Sequence, residues 1–303
     1  METKTKSHLD VYSIVTDRII KQLEQGTVPW KKPWTDAGIP QNLLSRRPYR
    51  GINVWLLASL GYEQNLFLTW KQVKELGGSV KNGERSELVI FTRWIEKKVK
   101  SEDRTEKMRK MPFLRYYKVF NVAQCVGLPV DKIPPLNIME NDPIESCQSI
   151  YQNMPLAPEI RNDDDFAYYM GHNDYVNMPY MDKFENSESY YAILFHELIH
   201  STGHPTRLNR KEWLKETSYA TSNLEKYSLE ELVAEMGACY LESKTGIIDT
   251  RFDQNASYID GWLSRLRSDR RFIVIASAFA QRAVDYILNV KVEQKFDEIA
   301  IAS

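Results

Sequence analysis

The sequence predicts an α+β protein of two domains, and three observations lead to this prediction. The balance of charge reverses near the middle of the chain, and six prolines crowd between Gly127 and Pro158. Alternating strand patterns occur in the first half, whereas the last third has the 3.6-residue periodicity of helices. We therefore predict an α+β domain at residues 1–126, a proline-rich linker at 127–141, and a mostly helical domain with a small sheet at 142–303.

The charge reversal separates the two halves chemically. Residues 1–120 contain 23 Lys and Arg against 13 Asp and Glu, a net charge of +10. Residues 121–303 contain 17 against 28, a net charge of -11, so the whole chain carries only -1. Such asymmetry indicates a polyanionic partner for the basic half. The alternative is that the uneven charge serves solubility alone.

The composition excludes several other classes of protein. No apolar run approaches the roughly 20 residues of a membrane span, and residues 1–10 lack the apolar core of a signal peptide. A cytoplasmic protein without a membrane partner is expected. The three cysteines are widely spaced, so neither a disulfide framework nor a cysteine metal site is indicated.

The first domain is predicted to begin with an amphipathic helix that ends at Gly26. Two further helices and two strands of one sheet follow. Between the strands lies a polar, charged run, which is predicted as a hairpin loop that either contacts nucleic acid or is simply solvated. The predicted helices are 7–25, 53–60 and 67–76, the strands are 87–99 and 115–122, and the charged run is 97–110.

Two segments of the basic half combine aromatic rings with cations. Aromatic faces stack on unpaired bases, worth about 1–3 kcal/mol per base, while lysine and arginine neutralise phosphates. This mixture favours nucleic-acid binding; the alternative for each aromatic is that it fills the core. The candidate residues are Trp30, Lys31, Lys32, Trp34, Arg46, Arg47, Tyr49 and Arg50.

The second domain is predicted to start with a helix at 144–152 and a strand pair within 166–179 that turns at 171–174. Residues 175–178 are predicted as an edge strand, because metalloproteases pair an extended peptide with such a strand beside the cleft. Two packing helices, 256–266 and 272–288, are predicted for the last third, the second one capped by Asp269.

The strongest chemical signal is His196-Glu197-Leu198-Ile199-His200, which fits the H-E-x-x-H pattern. Residues four apart share one face of a helix, so both histidines can direct a ring nitrogen to one metal ion. The flanks predict that helix, with Asn186-Ser187 as the start and Gly203 as the stop. Chance spacing of two histidines on a buried helix is the alternative.

A catalytic zinc site needs a third protein ligand and one open position. The metzincin arrangement is excluded because Thr206 stands where its third histidine would be. His204 would lie about 12 Å from His196 along a continuous helix, too far to share the ion, so only a break of the helix at Gly203 would allow it to be a ligand. We therefore expect His204 to have a supporting role around the ligands or as an oxyanion donor, with Tyr180 and Tyr219 as the other donor candidates.

A glutamate on the following helix is the preferred third ligand, as in the gluzincins. Glu231 is predicted as that ligand, with Glu230 as its main rival. Glu235, one turn later, is expected to hydrogen-bond a ligand histidine. The spacing of Ser228 and Glu231 also fits a capping box, so a purely capping role for Glu231 remains open.

This ligand set predicts Zn²⁺, with another divalent ion such as Mn²⁺ as the alternative. Zinc lowers the pKa of a bound water toward about 7. Glu197 would then be the catalytic base, accepting a proton from water as it attacks a peptide carbonyl and passing it to the leaving amine.

Five segments together resemble the ArdC-type antirestriction proteins of conjugative plasmids and mobile elements. They are Tyr12 to Trp34, Gly51-Ile52-Asn53, Trp70-Lys71-Gln72, HELIHSTGH at 196–204 and EELVAEMGA at 230–238. The resemblance covers nearly the whole chain.

The resemblance implies a single-stranded DNA-binding domain, similar to that of TraC-type primases, followed by a zincin-like metallopeptidase domain. It implies His196, His200 and Glu231 as metal ligands and Glu197 as the water-activating acid. The implied role is protection of incoming plasmid DNA from the recipient's restriction enzymes, with a protein of that restriction system as the candidate substrate. The alternative is a protein that only occludes DNA and whose metal site is structural or inactive.

Overall fold

The computed structural model describes residues 10–30, 38–100, 106–135, 143–210, 223–247 and 256–290. Eight α-helices lie within these ranges. They are α1 (Val11–Glu24), α2 (Ile52–Ala58), α3 (Trp70–Glu75), α4 (Pro143–Gln152), α5 (Ser187–Ser201), α6 (Asn223–Thr245), α7 (Ala256–Ser268) and α8 (Phe272–Ile287). None of these described helices is both long enough and apolar enough to cross a lipid bilayer.

The strands form three small sheets. The first has the order β1-β2-β5-β4, with β1 parallel to β2 and the other pairs antiparallel. The second pairs β3 with β6, and the third has the order β7-β9-β8. The strands are β1 (Gln41–Asn42), β2 (Leu66–Thr69), β3 (Ser79–Val80), β4 (Glu87–Lys100), β5 (Glu106–Asn121), β6 (Cys125–Val126), β7 (Glu159–Arg161), β8 (Tyr168–Met170) and β9 (Tyr175–Asn177).

This mixture of helices and small sheets confirms the α+β class, with a mostly helical second half. Three local predictions were wrong. Residues 67–69 belong to β2 rather than to a helix, and Thr69 caps the helix α3 that follows. The charged run 97–110 continues β4 and β5 on both sides of residues 101–105, which lie outside the described ranges. Asp269 does not cap α8; it accepts a hydrogen bond from the amide of Arg271 at 2.8 Å.

The predicted edge strand at 175–178 also needs correction. β9 pairs with β7 on one side and with β8 on the other, so it is the central strand of its sheet. A central strand has no free ladder for an added peptide. Within the described sheet, β7 and β8 are the edges.

The largest hydrophobic core contains residues from both halves of the sequence. Leu23 and Trp30 from the N-terminal part pack in the same buried cluster as Phe195 of α5, Leu232 of α6 and Phe272 of α8. Two smaller clusters lie around the first sheet. The helices that carry the metal-binding motif are therefore packed partly by the N-terminal segment.

Candidate functional site

Helix α5 positions the H-E-x-x-H residues. It begins as predicted, because the Asn186 side chain accepts a hydrogen bond from the Ser189 amide at 2.8 Å. Its apolar face, which includes Leu198 and Ile199, is fully buried. The two histidines and Glu197 are only partly buried, so they lie outside the apolar core.

Helix α6 supplies the third candidate ligand. It begins at Asn223, so Ser228 and Glu231 lie inside the helix. A capping box requires its first residue at the helix start, so the alternative that Glu231 merely caps the helix is excluded. Glu231 instead directs its carboxylate to both histidines of α5.

The three side chains converge at distances suited to a metal ion. The Nε2 atoms of His196 and His200 are 3.1 Å apart. Glu231 places Oε2 3.6 Å from His196 Nε2 and Oε1 3.6 Å from His200 Nε2. Ligands about 2.0–2.2 Å from a tetrahedral metal are roughly 3.3–3.6 Å from one another. The donor set therefore fits a divalent ion, and it is the one such cluster in the described part of the chain.

A glycine allows the two ligand helices to approach each other closely. A Cβ atom at Gly237 of α6 would lie 2.5 Å from Cδ1 and 2.7 Å from Cγ1 of Ile199 on α5. Both distances are far inside van der Waals contact. Any larger residue would require Ile199 or a helix to shift, and this close contact between α5 and α6 lies about two turns from Glu231.

A second contact between the helices runs through Arg210 and Glu230. Arg210 is buried, and its guanidinium forms an ion pair with Glu230 while its Nη2 also donates to the Ile199 carbonyl at 2.9 Å. Glu230 in turn lies 3.5 Å from Nδ1 of His200. Glu230 thus contacts the far side of a candidate ligand, which leaves the His200 Nε2 directed toward Glu231.

These contacts shift the ionisation of the site. Burial would raise the pKa of Glu230, but the Arg210 charge and the His200 contact outweigh it and hold the pKa at about 2. Burial would likewise raise the pKa of Glu231, but the two histidines lower it. For His200, burial acts to lower the pKa, and the surrounding glutamates, led by Glu230, raise it above its ordinary value. Both glutamates are thus held as carboxylates.

The structure corrects the expectation for Glu235. Its Oε2 accepts hydrogen bonds from the Trp30 indole nitrogen at 3.1 Å and from the Tyr258 hydroxyl. The contact with a ligand histidine that was expected of Glu235 is made by Glu230 instead. The reason is the rotation of α6, which turns Glu230 toward α5 and Glu235 toward the segment after α1.

His204 lies in the turn after α5, outside the three-residue cluster. Its Nδ1 is 2.7 Å from the Thr206 hydroxyl and 3.8 Å from Oδ2 of Asp174. Asp174 also holds Arg207, whose side chain is 1% exposed. His204 therefore takes part in a polar network at the end of α5. Of the other oxyanion candidates, Tyr180 is exposed and Tyr219 lies outside the described residues.

Two of the predicted nucleic-acid contacts were wrong. Trp30 is fully buried, with its ring edge against Trp262, so it cannot stack on a base. Tyr49 is also buried, packed edge-on against Phe67. Both serve the core, which was the stated alternative.

The remaining nucleic-acid candidates divide into three groups. Arg46 and Arg47 are exposed, in the turn that follows β1. Arg50 is half exposed but forms an ion pair with Asp285 of α8, so it joins two parts of the fold. Three further candidates, Lys31, Lys32 and Trp34, lie outside the described residues.

Two residues with notable surroundings were not among the candidates that the sequence suggested. Arg210 had no motif to mark it, because its role depends on tertiary contacts with α5 and α6. Trp70 has 52% of its surface accessible, more than any other tryptophan whose side chain the structure describes. Its neighbour Lys71 was a signal that the sequence offered, since an aromatic residue beside a cation is the pattern that singled out Trp30.

Comparison with known families identifies two matching regions of the chain. A family model described as the N-terminal domain of anti-restriction factor ArdC matches residues 9–120. A second one, described as a zincin-like metallopeptidase, matches residues 149–279. The zincin-like match and the converging ligand atoms together indicate a divalent-metal centre.

Individual relatives match nearly the whole chain. An uncharacterised protein of Sinorhizobium fredii, y4eC, is 32% identical, over 92% of this chain and 91% of its own length. Two DNA primases TraC of Escherichia coli are 30% and 28% identical; the matches span 92% and 97% of this chain but only 27% and 20% of the primases.

Two crystal structures of the antirestriction ArdC protein from plasmid R388 have the same fold, one metal-free and one Mn(II)-bound. Each is 36% identical and superposes with a TM-score of 0.72 over 92% of this chain. The alignments cover 96% of the metal-free chain and 97% of the Mn(II)-bound chain.

Proposed function

This chain belongs to the ArdC family of antirestriction proteins, and we propose that it protects incoming plasmid DNA by binding single strands and by hydrolysing a protein of the host restriction system. The observation that carries the hydrolytic part is the convergence of His196, His200 and Glu231, with Glu197 on the same helix. The basic charge of the first 120 residues supports the DNA-binding part.

His196, His200 and Glu231 are proposed to hold the metal. Two imidazoles and a carboxylate suit Zn²⁺, which takes three protein ligands in catalytic sites. The Mn(II)-bound relative makes Mn²⁺ the main alternative. When bound, either ion would polarise a peptide carbonyl and make a water molecule more acidic.

The protein's own residues would then perform the proton transfers. Glu197 lies next to His196 on α5 and is only partly buried, so its side chain remains accessible beside this ligand. We assign it the proton that water loses as it attacks the peptide carbonyl. The same carboxylate oxygen would pass this proton to the leaving amine nitrogen as the peptide bond breaks.

Replacement of Glu197 by glutamine tests the hydrolytic part. The amide keeps the shape of the side chain but cannot accept the proton, so we expect cleavage of restriction proteins to fall by about 10²–10⁴-fold. Protection of plasmid DNA in a restricting host should fall with it. Metal content and oligonucleotide affinity should match those of the unaltered protein.

A matched control is Glu188→Gln, a glutamate of the same helix about 13 Å from Glu197 along the axis. It should retain both cleavage and protection. Full protection by the Glu197→Gln variant would refute the hydrolytic part and favour the alternative, a protein that only occludes DNA.

A further inference from the structure

Trp70 is the first residue of α3, and half of its indole surface is open to solvent. Its ring rests against Phe120, with centroids 5.9 Å apart, and the Nζ of Lys74 lies 5.3 Å from the ring centroid. The capping box between Thr69 and Gln72 fixes the start of the helix. The indole is therefore held rigidly on the surface beside a cation.

The sheet brings basic residues to the same place. Strands β1 and β2 are parallel, so their carboxyl ends lie at the same edge of the sheet. The chain leaves β1 into the turn that carries Arg46 and Arg47, and it leaves β2 directly into Trp70. Because Thr69 pairs with Val119 on the antiparallel strand β5, exposed Lys118 also lies at this edge.

Hydrogen bonds join the arginine turn to the tryptophan. The Asn42 side-chain amide donates to Oε1 of Gln72 at 2.9 Å, and the same oxygen accepts the Thr69 amide at 2.9 Å. The Asn42 side-chain oxygen accepts the backbone amides of Leu44 and Ser45, which shapes the turn. The turn and Trp70 thus form one framework rather than two independent loops.

We propose that this edge of the sheet, formed by Trp70, Lys74, Lys118, Arg46 and Arg47, is the surface that binds single-stranded DNA. An exposed, rigid indole provides a stacking platform for one base. The four cations at this edge favour a polyanion such as a phosphate backbone over a neutral ligand. The inference rests on the proposed function. It assigns the DNA-binding surface to these residues instead of to Trp30 and Tyr49, which are buried.

Anisotropy of a fluorescein-labelled oligo(dT), titrated with the full chain, tests this location. Trp70→Ala should weaken binding about 5- to 150-fold, the loss of one stacked base. Trp70→Phe should restore most of the affinity, because a phenyl ring still stacks. Phe166→Ala, which removes an exposed ring from the second half, is the matched control and should bind like the unaltered chain.

The contribution of the cations is tested by the salt dependence of oligonucleotide binding, which does not depend on the Trp70 ring. Each lost phosphate contact should reduce the slope of log K against log salt by about 0.7 for a single strand. The Lys74→Gln and Lys118→Gln variants should each show this reduction with an unchanged thermal midpoint. Duplex DNA, which offers no unstacked base, should bind more weakly and show no dependence on Trp70.

The outcomes separate this inference from the function on which it rests. If the unaltered chain does not bind oligo(dT), both fail. If the chain binds but Trp70→Ala and the lysine variants retain full affinity and slope, the DNA-binding function stands and this location is wrong. If Trp70→Ala weakened binding to duplex and to single-stranded DNA equally, stacking on Trp70 would be refuted. Only a general electrostatic contact would then remain.

Discussion

At the scale of single residues, the contact between Glu230 and His200 is the least expected feature of the metal centre. Sequence spacing was sufficient for His196 and His200, because residues four apart on a helix must share a face. It could not separate the roles of Glu230, Glu231 and Glu235, since their directions depend on how α6 is rotated against α5. That rotation depends on two tertiary contacts, the close packing of Gly237 against Ile199 and the hydrogen bond from Arg210 to the Ile199 carbonyl.

The Glu230 carboxylate should influence how tightly the site binds metal. A group that holds the far nitrogen of a ligand histidine typically contributes 10- to 100-fold to metal affinity. We expect Glu230→Gln to weaken Zn²⁺ and Mn²⁺ binding by about this factor, measured by competition with a chelating dye. Arg161→Lys, in an exposed ion pair with Glu159, should leave affinity unchanged. If Glu230→Gln bound metal as tightly as the unaltered chain, Glu230 would not be needed to position His200.

The Asp174 carboxylate should make stability depend on pH. Burial acts to raise its pKa, but hydrogen bonds from Arg207 and Tyr169 outweigh it and lower the pKa below the ordinary value. A carboxyl with a lowered folded-state pKa stabilises the fold above its unfolded pKa of about 4 and loses this contribution as pH falls through the folded value.

We therefore expect Asp174→Asn to cost about 1–3 kcal/mol of unfolding free energy at pH 7. The difference from the unaltered chain should shrink below about pH 4. Denaturant unfolding at pH 7, 5 and 3.5 measures it. A difference that stays constant across this range would show that the charge of Asp174 is not the cause.

At the scale of secondary-structure elements, long periodic segments were predictable, whereas the short run at residues 66–69 was not. The helices corresponding to α1, α5, α7 and α8 were predicted to within a few residues because their apolar faces repeat over several turns. Residues 66–69 are apolar over one short run, which fits a strand or a helix equally well. Likewise, the sequence of β9 does not reveal that β7, which lies some 15 residues earlier, covers its second side.

The close approach of α5 and α6 should be sensitive to a single methyl group. Gly237→Ala would force Ile199 or the whole helix to move, at a cost of about 1–3 kcal/mol for overpacking. Because the same helices carry the ligands, metal affinity should fall as well. Thermal unfolding and metal titration measure the two effects.

Gly261→Ala provides the matched control, since Gly261 lies within α7 and a Cβ there would meet nothing within 4 Å. Alanine has the higher helix propensity, so this variant should be stabilised by up to about 1 kcal/mol. If Gly237→Ala and Gly261→Ala had the same stability and metal affinity, the close packing of α5 and α6 at Gly237 would not be important for either property.

At the scale of the whole molecule, the core crosses the predicted domain boundary. Trp30 packs in the core and donates to Glu235 of α6, while Arg50 pairs with Asp285 of α8. Sequence reasoning separated the halves by charge and proline content, which are surface and loop properties. It could not detect a shared hydrophobic core, because a tryptophan beside lysines gives the same sequence pattern whether its ring is buried or exposed. The domain limits themselves stay a prediction.

Such a core predicts that the chain unfolds as one unit. Trp30→Phe removes the indole donor to Glu235 and should lower the unfolding free energy by about 1–3 kcal/mol. The decrease in unfolding free energy should be the same whether unfolding is followed by far-UV circular dichroism or by loss of metal. Oligonucleotide affinity should not change. Two separate transitions, with only one shifted, would contradict a common core.

The burial of Trp30 also bears on how this chain is inherited. A segment whose interior is completed by a distant helix loses stability when recombination separates the two, so selection should keep them together. The two TraC primases fit this expectation: each carries a match to more than nine-tenths of this chain within a much longer protein. We therefore expect relatives to keep the basic and metal-binding halves together as one heritable block.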